Sequence, residues 1–449
     1  MKKFNIFLAS AMAVLSLASC DINDVQNVGE LSTSTFPVSK EDGEAVLAGV
    51  YQNLIQVCAD PQMSFLYYAQ LASDDMLGGG GVNDKLMQAD DLLCNYNADM
   101  TNVFYEARYK GINRANTLIE ALPNTSMNED TKNSLMGQTK FLRAFYYYEL
   151  ASMYGNVPMR LKPGSEAVTQ GNIEDPWKQI LMDLRDAVNL LPATKSTDGH
   201  IDKYAAEALL ARAYLYYTGY YGEEHPACSK AEATAAINDV VENGGYELEK
   251  NYADFWMPSC TKDASSTGNY AWETTYAGKW YDGKTWKAGQ GSLSKEIVLN
   301  LKLNSTHDYN GNGDGNTFSV YLGPRNRCAT DICIASGWGA CPVTPYFVEQ
   351  FRNDPRFNAC VWSCKDAGFT ADESDSYEYT GYYTRKYAPM CFADGTRQEV
   401  GFQLGEQHQN ITYYQDYTIM RYADVLLMHS ELNGTADGLN KVRARVGLE

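Results

Sequence analysis

The stretch 202–217 reads DKYAAEALLARAYLYY, with Asp202 placed to cap a helix and Gly219 and Gly222 supplying stop signals just beyond. Its interior holds neither Gly nor Pro, so a helix is expected. At ~100° per residue, Lys203 and Glu207 share one side. Tyr204, Ala208, Ala211 and Leu215 make one apolar stripe, and Ala206, Leu210, Ala213 and Tyr217 make another. Most of the circumference must then be buried, with alanines admitting close backbones and tyrosines filling the grooves between neighbouring helices. Arg212, about 180° round from Lys203, needs a buried carboxylate or a helix-end carbonyl.

The run Arg143-Ala144-Phe145-Tyr146-Tyr147-Tyr148 matches Arg212-Ala213-Tyr214-Leu215-Tyr216-Tyr217 in its Arg, Ala and aromatic positions. The spacing is close to two tetratricopeptide periods of about 34 residues each. The alternative is that two buried helices of any all-α protein share such a run by chance.

At 449 residues the chain can bury a large core. Hydrophobic residues at 45%, charged residues at 21% and 33 tyrosines exclude a chain unable to collapse. A net charge of −19 argues against nucleic acid and gives no attraction to an anionic membrane surface; a neutral ligand is easier to accommodate.

The N-terminus, Met1-Lys2-Lys3 followed by a mostly apolar 4–17 and then Leu17-Ala18-Ser19-Cys20, resembles a bacterial lipoprotein signal. Cleavage before Cys20 and diacylation of its sulfur would leave the mature protein tethered by lipid. Residues 1–19 are then the signal peptide and 20–38 a lipidated tether. The other ten cysteines show no paired C-x-x-C spacing, and a mixture of buried thiols with one or two bridges is expected.

Helical periodicity runs over 39–71, 102–122, 132–153 and 230–242, and again over 418–432 and 439–446. Another helix runs to Leu191, with Asp175 as its cap and Pro176 at its first position. Between the first two comes Ser73-Asp74-Asp75-Met76-Leu77-Gly78-Gly79-Gly80-Gly81, which reads as a flexible loop of the kind that carries function. After Gly244-Gly245 the pattern changes to short β-like pieces, such as 296–301, among Gly, Asn, Asp and Trp. Three parts follow: a helical scaffold over 39–244, a loop-rich region decorating it over 245–417, and a closing helix pair over 418–449.

The blocks Phe141-Leu142-Arg143-Ala144-Phe145-Tyr146, Tyr154-Gly155-Asn156-Val157-Pro158, Ala208-Leu209-Leu210-Ala211-Arg212-Ala213-Tyr214 and Arg421-Tyr422-Ala423-Asp424-Val425-Leu426-Leu427-Met428 occur in an order that resembles the SusD/RagB family. So do Gly245-Tyr246-Glu247-Leu248, Lys295-Glu296-Ile297-Val298, Asn353-Asp354-Pro355-Arg356 and Leu439-Asn440-Lys441-Val442-Arg443. The resemblance implies a mostly α fold, an α-α superhelix of four tetratricopeptide-like helix pairs with a loop-rich, mixed decorating region. It also implies a lipid-anchored protein at the outer-membrane surface of a Bacteroidetes-type cell, with an oligosaccharide or polysaccharide ligand. The implied partner is a TonB-dependent barrel of the SusC type, over which the protein acts as a lid. In the family a further helical block follows the Leu-Asn-x-Val-Arg segment, whereas this sequence ends at Gly447-Leu448-Glu449, so an uncapped helical end is expected.

No His-Glu-x-x-His, Gly-x-Ser-x-Gly or P-loop pattern is present, the five histidines are scattered, and no carboxylate pair stands out; no enzyme is expected. Asp308, Asn310 and Asn312 before Gly313 match the first half of a calcium loop. The twelfth position is Ser319 in place of a bidentate Glu, so an Asn/Gly turn satisfying its own backbone is the better reading and no cofactor is expected.

The rings of Trp280, Tyr281 and Trp286 lie among Gly, Lys and Asp, a setting too polar for a core strand. Flat rings in loops suit sugars, whose C–H faces stack while nearby polar groups bond the hydroxyls. The other outcome is a satellite hydrophobic cluster beneath the loop. Trp338, between Gly337 and Gly339, is a second candidate of this kind. By resemblance, Asp74 and Asp75 face the same ligand, with 76–81 shaping the rim. The competing function is a helical-repeat surface protein that binds peptides or proteins and ignores sugars.

Overall fold

The computed structural model describes residues 36–59, 64–81, 90, 99–164, 174–196, 199–256, 294–303, 316–325, 337–366, 376–387 and 416–449. The first helix, α1 (Lys40–Ala59), is followed by the short α2 (Phe65–Leu71) and by α3 (Asp99–Ala121). Next come α4 (Glu129–Tyr154), α5 (Glu174–Leu190), α6 (Lys203–Tyr221) and α7 (Lys230–Asn243). Near the C-terminus stand α12 (Tyr422–Asn433) and α13 (Asp437–Ala444). The long helices pack as pairs, α1 with α3, α4 with α5, α6 with α7 and α12 with α13. Successive pairs meet through α3 and α4, α5 and α6, and α7 and α12, so the chain winds as the tetratricopeptide-like α-α array expected.

Local chemistry explains the helix ends. Asp202 accepts from Ala205 N at 2.9 Å, Asn128 from Thr131 N at 2.9 Å and Ser229 from Glu232 N at 3.3 Å, each satisfying an N–H that the first turn leaves open. At the far end of α6, Gly222 takes φ 74°, a left-handed cap that Gly adopts without strain. Gly219 lies inside α6, which runs one turn beyond the expected end at Tyr217. The helix holding Pro176 begins at Glu174, one residue before the expected cap position at Asp175.

Burial follows the two stripes: Tyr204, Ala208 and Ala211 on one, and Ala206, Leu210, Ala213 and Tyr217 on the other, are buried. Trp177 of α5 is fully buried and stacks on Tyr216 of α6, 5.2 Å between centroids. Truncating such a ring costs ~3–5 kcal/mol.

The echoed arginines occupy matching places, each on the first helix of a pair. Arg143 forms a two-pronged ion pair with buried Asp183 of α5, both bonds 2.8 Å, and donates to Asn116 Oδ1 at 2.8 Å. Arg212 reaches Asp424 of α12 at 3.1 Å, but that carboxylate is 44% exposed and not the buried one expected. The difference is positional, since Asp424 sits at the scaffold's junction with the decorating region and lines a cavity there.

Among the described residues of 245–417 the elements are short: α8 (Tyr252–Phe255), β1 (Ile297–Leu301), α9 (Phe318–Leu322), α10 (Pro345–Phe351), α11 (Phe357–Cys360), β2 (Val361–Ser363) and β3 (Tyr382–Thr384). β2 and β3 pair antiparallel. Residues 418–421, expected as the start of a helix, belong instead to strand β4 (Tyr417–Arg421), antiparallel to β1. Its β-branched and aromatic residues find a partner about 120 positions away, which local periodicity does not reveal. Glu296, fully buried at the entry to β1, accepts from Arg421 at 2.8 Å, Arg445 at 2.6 Å and Glu249 N at 3.1 Å, tying the last turn of the chain to the sheet.

Candidate functional site

The glycine-rich segment after α2 is not a free loop. Leu77 N donates to Pro342 O at 3.0 Å, Gly80 N to Gly339 O at 3.0 Å, and Cys341 N to Gly78 O at 3.1 Å. Met76 with Val343 and Gly79 with Ala340 form antiparallel bridges. Gly78, Gly79 and Gly80 are buried, which overturns the reading of a flexible loop. The glycines are there for close approach: a Cβ on Gly79, at φ 66°, would lie 2.3 Å from Gly339 O and 2.4 Å from Pro342 Cδ. A Cβ on Gly337 would meet the Gly323 backbone at 2.3 Å.

Two non-glycine residues with left-handed backbone, Cys341 at φ 53° and Glu378 at φ 51°, both bond this segment. Glu378 Oε2 accepts from Gly79 N at 3.2 Å, and Tyr377 N donates to Gly80 O at 2.9 Å. Such conformations cost about 1–3 kcal/mol each and persist where the surroundings over-determine them, commonly at binding sites.

Asp74 and Asp75 stand exposed at one end of this lacing. Thr344 clamps them: its N–H donates to Asp75 O at 2.9 Å and its hydroxyl to Asp74 O at 3.0 Å, while the same oxygen caps α10 by accepting from Phe347 N at 3.2 Å. Trp338 stands at the other end, 40% exposed, its ring tilted on Tyr321 at 4.6 Å between centroids. Its backbone is held by Val320 O at 2.7 Å and by Arg325, whose Nη1 donates to Trp338 O at 3.3 Å. Five residues, 339–343, lie between Trp338 and the Thr344 clamp. Tyr346, 66% exposed, follows on α10.

Behind the rim lies a cavity of about 440 Å³, lined by Asp75, Trp256, Lys386, Arg421 and Asp424 together with apolar side chains. Lys386 Nζ lies 5.1 Å from the Trp256 ring centre and the Arg421 guanidinium 5.7 Å from it. With Arg421 paired to Glu296 and Asp424 to Arg212, the charges of this cavity are largely neutralised within the protein.

Sequence reasoning offered Asp74, Asp75 and Trp338, and the structure places them at the two ends of the laced segment. It missed Tyr321, Arg325, Thr344, Tyr346 and Glu378, whose partners are distant in sequence; the paired glycines at 337 and 339 were the one local signal. Trp280, Tyr281 and Trp286, and the calcium candidates Asp308, Asn310 and Asn312, lie outside the described residues, as does Cys20. Among the described residues no group of three or more His, Cys, Asp or Glu is arranged to hold a metal, and no helix is long and apolar enough to cross a membrane. Among the described residues Cys228, Cys341 and Cys364 are buried free thiols and Cys360 is a half-buried one; burial pushes the Cys364 thiol up to about 11.

Residues 27–215 match the family described as starch-binding associating with outer membrane, and residues 274–449 match the SusD family. The chain belongs to the SusD/RagB family. Two SusD-like proteins of Formosa agariphila, P38 and P2, are 22% and 25% identical to it, over 96% and 100% of this chain and 78% and 82% of theirs. Among solved structures, a laminarin-binding SusD-like protein is 26% identical with a TM-score of 0.74, covering 92% of this chain and 85% of that one. Surface glycan-binding protein A of Bacteroides thetaiotaomicron, in complex with laminarihexaose, is 19% identical with a TM-score of 0.70 over 91% of this chain and 83% of that one, a likeness of SusD fold.

Proposed function

We propose that this SusD-family chain is a cell-surface lipoprotein that captures an oligosaccharide or polysaccharide and delivers it to a SusC-like TonB-dependent barrel, without acting on it as an enzyme. Lipid at Cys20 anchors it in the outer membrane. The observation that carries the ligand class is the exposed indole of Trp338, backed by Tyr321 and set on one rigid surface with Asp74 and Asp75. A fixed ring offers a stacking face at little entropic cost, and the carboxylates accept from sugar hydroxyls. The SusD-like protein named for laminarin and the family description of starch binding support the same class.

The experiment is a titration of the full-length chain, in a detergent without a sugar headgroup, against a panel of neutral oligosaccharides, alongside a pull-down from outer membranes. Binding of at least one glycan and recovery of a barrel protein are expected. Indifference to every sugar, with capture of a peptide instead, would establish the competing helical-repeat reading.

A further inference from the structure

Three adjoining hollows of about 330, 560 and 230 Å³ meet at His200, and Trp338 lines none of them. The first two share Lys195, Ser196 and Asp202, and the first and third share Gly199, Asn300 and Lys302, so they form one trough. Its walls are β1, the inner side of α1 at Glu44 and Leu47, and the start of α4 at Thr131 and Ser134. None of its lining residues lines the cavity behind Asp75.

The trough is held in shape by bonds that need no ligand. Ile201 N donates to the Tyr51 hydroxyl at 2.9 Å, and that hydroxyl donates to Gln138 Oε1 at 2.7 Å. Exposed His200 meets the Tyr51 ring edge-on at 6.0 Å. Gly199, at φ 94°, lets the loop pass so close to β1 that a Cβ would lie 2.7 Å from Lys302 Cγ. Four lysines, Lys40, Lys195, Lys295 and Lys302, line the trough with three carboxylates, Glu44, Asp130 and Asp202, and Lys295 is paired with Glu247 at 2.8 Å. Several are engaged already: Lys40 with Glu44 at 3.3 Å, Lys302 with Asp416 at 3.6 Å, and Lys195 over the Tyr246 ring at 3.9 Å.

A wide, solvent-open trough whose lysines are matched by carboxylates on or beside its lining selects neither anion nor cation. Hydroxyls from Thr131, Ser134 and Ser196, above an apolar base at Leu47, match a neutral polyhydroxylated chain. We propose that the His200 trough is a second carbohydrate subsite, binding the same class of neutral glycan as the Trp338 surface. The proposal rests on the glycan reading above. Two subsites on one chain raise the effective concentration of a long polysaccharide at each of them, so a long glycan is retained better than a short one.

The test is calorimetric titration of the full-length chain, in a detergent without a sugar headgroup, with laminarihexaose, maltohexaose, cellohexaose and mannohexaose as probes. Three variants accompany it: His200→Ala with Lys302→Ala, Thr194→Trp to obstruct the trough without deleting a bond, and Trp338→Ala. The probe that binds is expected to occupy two sites per chain. Either trough variant weakens one site by about tenfold or more, the loss of one or two hydrogen bonds to sugar, and leaves the other unchanged. A single site that the trough variants leave intact and Trp338→Ala removes would overturn the second subsite while upholding the proposed function. A single site removed only by the trough variants would uphold the trough and overturn the Trp338 surface. Binding of no probe would overturn both.

Discussion

Glu378 accepts the Gly79 N–H at 3.2 Å across 299 positions of sequence, while its own backbone sits at φ 51°. The bond fixes a buried glycine turn against a residue held in a costly conformation, and it joins the chain after α2 to the decorating region. The surface carrying Asp74, Asp75 and Trp338 is rigid because of such crossings.

Gly79→Ala therefore acts as a local lesion. The added methyl meets the Gly339 carbonyl and Pro342, at a positive φ that only glycine adopts freely. We expect a loss of about 1–3 kcal/mol, with faster amide exchange at 77–80 and 339–343 and unchanged protection in α4 and α6. Glycan affinity falls with it.

The two echoed arginines differ in what they stabilise. Asp183→Ala leaves Arg143 buried without its counter-charge and is expected to cost about 3–5 kcal/mol. Asp424→Ala strands only a partly exposed Arg212, worth about 1 kcal/mol or less. Denaturant unfolding of the two variants separates them; equal losses would show that the second pair stabilises the fold as strongly as the first.

Glu207 gives a pH signature. Burial, then the neighbouring Asp239 carboxylate, pushes its carboxyl up to about 8 from the ordinary 4.5, against the pull of Lys203 at 3.2 Å. The folded chain thus holds this proton more tightly than the unfolded one. Its contribution is complete below pH 4.5 and is lost as pH rises through about 8. Melting temperature followed between those values should fall less steeply for Glu207→Gln than for the parent chain, and identical slopes would count against the assignment.

The scaffold was legible because its signals are local: caps at Asp202 and Ser229, alanine-rich stripes, and an Arg-Ala-aromatic echo that recurs at the same place in successive helix pairs. The surface was legible in part. Asp74, Asp75 and Trp338 announced themselves by type and setting, yet the glycines between them looked like slack chain, because the backbones they approach lie some 260 residues away. Strand β4 was hidden for the same reason, since Ile297 and Arg421 pair only once the whole chain has folded. The partner of Arg212 was foreseen in kind, a carboxylate, and missed in burial.

The most direct measurement is a crystal structure of the chain soaked with whichever neutral oligosaccharide the panel shows to bind. A pyranose ring stacked on Trp338, with hydroxyls within hydrogen-bonding reach of Asp74 or Asp75, is the predicted result. Sugar density that leaves the Trp338 ring bare, together with full affinity in a Trp338→Ala variant, would contradict it.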